Sequence, residues 1–146
     1  MHYSPASTFP DAAQEASNWV RELSELLGCE PRVAYEILRT FLHLLRDRLP
    51  IDDNAKVAND LPLVLRGLYY EGWDPPRARA QGDLAALPSA LRSALPQAIS
   101  SDPEVFAKLQ KLFEGRRHHK RTTQLDVALR LCAISASSGP LGVNSP

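Results

Sequence analysis

Apolar residues recur at helical spacing along most of the chain, and proline and glycine punctuate the runs. After Pro10, residues Ala12, Ala16, Trp19, Val20, Leu23, Leu26 and Leu27 fall three or four apart, with Glu15, Arg21, Glu22 and Glu25 between them. This predicts an amphipathic helix of about four turns, closed by Gly28. Pro31 suits the first turn of a second helix, where its missing N–H has no intrahelical partner to lose, and the pattern continues through Arg48 to Leu49-Pro50. Val33, Ala34, Ile37, Leu38, Phe41, Leu42, Leu44 and Leu45 cover half of that helix, so a central position is expected. Arg32, Glu36, Arg39 and His43 fall opposite, whereas Arg48 falls within the apolar arc.

Asp52 or Asp53 would cap a third helix carrying Ala55, Val57, Ala58 and Leu61. Pro62 would open a fourth, with Leu61, Val64, Leu65 and Leu68 on one side and Gly72 at its end. The expected fold class is all-α: a compact antiparallel helical bundle of four N-terminal helices over 11–74, with two or three weaker C-terminal helices. Residues 75–100, from Pro75-Pro76 through Leu84, Leu87, Leu91, Leu95 and Ile99, are interrupted by Pro88 and Pro96 and read as a linker with two short helical pieces.

A C-terminal helical region is expected over 101–136. Ser101 with Glu104 has the spacing of a capping box, and Val105, Phe106, Leu109, Leu112 and Phe113 form one stripe that Gly115 ends. Leu125 to Ala136 is apolar on most sides, broken by Asp126 and Arg130, and reads as a buried or partner-binding helix. Residues 137–146 read as a disordered tail.

Two blocks carry a family resemblance. One runs through Ala34-Tyr35 and Leu38-Arg39 into Leu42-His43-Leu44-Leu45-Arg46-Asp47-Arg48-Leu49; the more specific one is Leu61-Pro62-Leu63-Val64-Leu65-Arg66-Gly67-Leu68-Tyr69-Tyr70-Glu71-Gly72-Trp73. Residues 19–75 thereby resemble the "domain of unknown function 2267" family of small all-helical bacterial proteins. The resemblance implies two copies of a helical unit of roughly 60 residues. Only the first copy is evident here, and Leu87-Pro88-Ser89-Ala90-Leu91-Arg92 echoes Leu61-Pro62-Leu63-Val64-Leu65-Arg66 as a fragment of the second. It implies a fold and no activity.

Composition adds a charge division. The 146 residues carry 17 Lys/Arg and 17 Asp/Glu, yet residues 1–74 balance at −5 and residues 75–146 at +5. Cys29 and Cys132 sit in no paired motif, which speaks against a disulfide framework or thiolate zinc site and suits a reducing, cytoplasmic setting. No run approaches the roughly 20 apolar residues of a membrane span.

Candidate chemistry is sparse. No dinucleotide fingerprint, phosphate-cradling loop, nucleophile motif or metal-ligand spacing is present, so neither enzyme activity nor a metal or other cofactor is expected. Arg66, Tyr69, Tyr70 and Trp73 form a candidate interaction surface, with Tyr70 one turn after Arg66. Arg116, Arg117, Lys120 and Arg121, in a run with His118 and His119, are candidate anion or nucleic-acid contacts. Arg48 is a candidate structural clamp with Asp60, Glu71 being the other acid within consideration, or half of an anion pocket with Arg66. The expected function is a non-catalytic interaction module that self-associates or binds another protein; the alternative is a nucleic-acid or anion binder using Arg116 to Arg121.

Overall fold

The computed structural model describes residues 3–78 and 83–115. Within them the chain is helical throughout and contains no strand. The order is α1 (Thr8–Leu27), α2 (Pro31–Arg46), α3 (Ile51–Asn59), α4 (Leu63–Tyr70), α5 (Pro75–Ala78), a 3₁₀ turn (Leu84–Ala86), α6 (Leu87–Ala94), α7 (Gln97–Ser100) and α8 (Val105–Gly115). The apolar run Leu125 to Ala136 and the tail 137–146 lie outside the described residues.

The helix ends explain most departures from the periodicity. α1 begins at Thr8, because Pro10 in its first turn breaks no intrahelical bond. It closes at Gly28, whose φ of 66° lets its N–H reach Ser24 O. Pro50, Pro62 and Pro96 stand in extended conformation immediately before α3, α4 and α7. Asp52 and Asp53 therefore occupy the first turn of α3 and do not cap it; there they face the positive end of the helix dipole. The Ser101–Glu104 box is also not formed. Asp102 Oδ1 accepts the Glu104 N–H at 2.8 Å, while the Ser101 hydroxyl turns back to Ala98 O.

α2 packs against α1, α4 and α6, and its Ile37, Leu38, Phe41, Leu42 and Leu45 are inaccessible to solvent. Its apolar arc thus finds a partner on several sides. The second half of the chain joins this same core. Leu87, Leu91 and Leu95 are buried, and Phe113 of α8 lies edge-on to Trp19 at 5.2 Å and 5.7 Å from Phe41. Among the described residues, one contiguous cluster of buried side chains runs from Ala16 to Phe113, so the short helices after residue 74 and α8 pack on the same core as the first four helices. The single stripe of α8 cannot be buried within α8 itself, and α1 supplies the surface it needs.

The internal echo lies in a different register from the one expected. Leu87-Pro88 opens α6 with the proline inside the first turn, whereas Pro62 precedes α4. The equivalent segments are Leu45-Arg46-Asp47-Arg48-Leu49-Pro50 and Leu91-Arg92-Ser93-Ala94-Leu95-Pro96, each closing one helix and placing its proline before the next. Leu45 and Leu91 are both fully buried, and both arginines bond to main-chain carbonyls at later helix ends.

Candidate functional site

Four arginines donate to main-chain carbonyls at or beside helix ends. Arg66 donates from Nε to Ala58 O at 2.9 Å and from Nη2 to Leu61 O at 3.1 Å, closing α3. Arg46 donates from Nη1 to Tyr69 O and Glu71 O at 3.2 and 2.7 Å, closing α4, and from Nε to Asp47 Oδ1. Arg92 reaches Ser100 O at the end of α7 and stacks over the Phe106 ring, 4.6 Å from its centroid. Arg48 turns back to Leu44 O at 2.9 Å. A guanidinium suits such places because it is cationic at the negative helix end and offers several donors at once.

Arg48, the expected clamp residue with Asp60, donates to a carbonyl of α2, the helix just before it. The buried guanidinium is that of Arg46, whose side chain is 7% exposed. α2 ends at Arg46 and the Arg48 and Leu49 amides bond three residues back, so extending the helical wheel to Arg48 misplaces it. Glu71 gives its carboxylate to Arg39 at 2.7 Å, which holds its pKa below the ordinary value. Arg66, the other half of the expected anion pocket, directs its Nε and Nη2 donors to the end of α3.

The aromatic corner is likewise corrected as an exposed surface. Tyr69 is fully buried; its hydroxyl donates to Asn54 Oδ1, and burial raises its pKa. Asn54 Nδ2 in turn donates to Arg46 O and Leu49 O. Tyr70 packs between Tyr69 and Trp73, with ring centroids 5.3 and 5.2 Å away. Arg66 does not rest on Tyr70 but caps α3. Arg116, Arg117, Lys120 and Arg121 lie outside the described residues.

The apolar surface that the periodicity did not single out is a groove of about 630 Å³ between α1, α2 and α4. Ala13, Ala16, Ser17 and Val20 of α1 form one wall, Tyr35 of α2 another, and Val64, Leu65 and Leu68 of α4 the third. Arg21 and Glu71 stand on its rim. Val64 is 44% exposed and Tyr35 37% exposed, high values for large apolar side chains facing one hollow. Phe9, one turn before Ala13, is also exposed and extends the stripe along α1. Its signal in the sequence was present, since Ala13, Ala16 and Val20 keep helical spacing, but α4 had to be placed before it became a groove.

A second depression, about 720 Å³, lies beside the α2–α3 turn and mixes Arg48 and Trp73 with Asp47, Asp52, Asp53 and Asp83. Among the described residues no group of three His, Cys, Asp or Glu side chains is placed to hold a metal ion. No described helix is long and apolar enough to cross a membrane.

Fold and surface together define an all-helical protein with a two-unit Leu-Arg/Leu-Pro pattern around one core. The chain belongs to the family described as "Uncharacterized conserved protein (DUF2267)", whose model matches residues 16–130. That match extends well past the 19–75 region and takes in the second unit and the basic run. None of the curated proteins matches the chain.

Proposed function

We propose that this chain is a non-catalytic helical interaction module whose binding surface is the α1–α2–α4 groove, with a second copy or another protein supplying an apolar helix. Exposed Val64 and Tyr35 facing one hollow beside half-buried Val20 and Leu68 support this reading. Three helix walls with a charged rim match the way an amphipathic helix lays its apolar face in a groove. Arg46, Arg66 and Arg92 each donate to a helix-end carbonyl.

The reading is tested with a synthetic amphipathic helix, leucine and alanine on one face and lysine on the other, titrated in excess into the full chain. Methyl NMR signals of Val20, Val64 and Leu68 are expected to shift. Val64→Asp, at a position open enough to leave folding intact, should abolish the response while the melting temperature holds. Shifts confined to another face, or no shifts at all, would overturn the proposal.

A further inference from the structure

Resting on the reading of the groove as a helix-docking site, we infer that its occupant is a second copy of this chain: two copies cross α4 on α4 at Gly67, and each lays Leu63 and Val64 against the groove of the other. Gly67 stands in the middle of the eight-residue α4 and is exposed. Glycine at such a place weakens a helix relative to alanine, because its backbone has more freedom to lose. Its φ is not positive, and a Cβ added to it would meet nothing within 4 Å beyond its own helix. Neither the backbone nor packing among the described residues therefore asks for glycine. Close approach of another helix does, since a missing side chain lets two backbones come together.

The side chains beside that gap are apolar and open. Leu63 and Val64, four and three residues before Gly67, share its side of α4 and are 58% and 44% exposed. Leu63 stands on the crest of the helix, and Val64 also lines the groove. Knob and hollow thus belong to one continuous face. A two-fold contact needs this, because the same patch must fit itself. An antiparallel crossing at Gly67 sets Leu63 and Val64 of one copy over the C-terminal end of the other copy's α4, where Leu68 and Glu71 border the groove.

Charge permits the self-contact. Residues 1–74 balance at −5, so two copies repel over much of their surface. The acid that lines the groove, Glu71, is ion-paired with Arg39 at 2.7 Å. Arg21, on the far rim, donates to Asn18 Oδ1 at 2.9 Å. Leu63, Val64 and Gly67 bring no charge to the crossing. One short helix and one groove per copy make a small interface, near the roughly 1,000 Å² in total at which specific contacts begin, so the dimer should form reversibly at about 0.1 mM.

Sedimentation equilibrium of the full chain from about 10 μM to about 1 mM should show monomer passing to dimer. Gly67→Gln fills the crossing point with a better helix former. Its melting temperature at the dilute end should hold or rise, while the dimer dissociation constant increases about tenfold or more. Leu63→Glu, at an open position, should weaken association as strongly. A chain that stays monomeric throughout overturns the inference, as does a dimer that either variant leaves unchanged. The synthetic amphipathic helix in excess should dissociate the dimer, and failure to do so also overturns it. Shifts of the groove methyls with that helix in a chain that never dimerises would leave the docking-site reading standing without this occupant.

Discussion

The Tyr69 hydroxyl donates to Asn54 Oδ1 inside the core, tying the last turn of α4 to the first turn of α3. Asn54 passes the connection on through Nδ2 to Arg46 O and Leu49 O, at the end of α2. Three helix ends are thus joined by one buried amide, in a place where an unpaired polar atom is expensive. Tyr69→Phe should cost about 1–2 kcal/mol by leaving Asn54 Oδ1 without its donor. Urea unfolding measures it. In combination with Asn54→Ala the loss should be smaller than the sum of the single losses, because both changes remove the same bond.

Arg46 and Arg48 should behave in opposite ways. Arg46→Leu removes donors from Tyr69 O and Glu71 O and leaves Asp47 without its partner, so a loss of about 3 kcal/mol is expected. Arg48→Leu gives up one bond to Leu44 O and removes a buried Nε that has no partner, and should change stability by less than about 1 kcal/mol. Equal losses in chemical denaturation would contradict this assignment.

His43 makes stability depend on pH. Its Nε2 lies 2.7 Å from Leu68 O, and burial, with Arg46 and Arg39 nearby, holds its pKa below the ordinary 6.5. The unfolded chain therefore takes up the proton first as pH falls. Its contribution to stability is complete above the unfolded value and declines as pH falls through it toward the lower folded value. Melts between about pH 8 and about pH 5 should show the decline, and His43→Gln should flatten that part of it.

Phe113→Ala probes the joining of the two units. The ring contacts Trp19 and Phe41, so its loss should cost about 3–5 kcal/mol. Near-ultraviolet circular dichroism of Trp19 and Trp73 should change together with helix content in one transition, since a single core contains both units. Two resolved transitions would count against that core.

The periodicity of the chain determined the all-helical class, the helices around Leu23, Phe41 and Leu65, and the stripe from Val105 to Phe113, because a repeat near 3.6 residues needs only local geometry. Proline and glycine located the breaks at Gly28, Pro50 and Pro62, whereas α1 begins three residues ahead of the expected start. The tertiary structure decided the rest. Tyr69 and Tyr70 are neighbours on one helix, yet only packing against Asn54 buries the first completely. Arg46 precedes Arg48 by two residues, and the point at which α2 stops chooses the one that enters the core. Val64 resembled any core valine on its stripe until α1 and α2 were placed around it and left it facing an open groove. Burial belongs to the surfaces that several elements share, and a linear pattern describes each element alone.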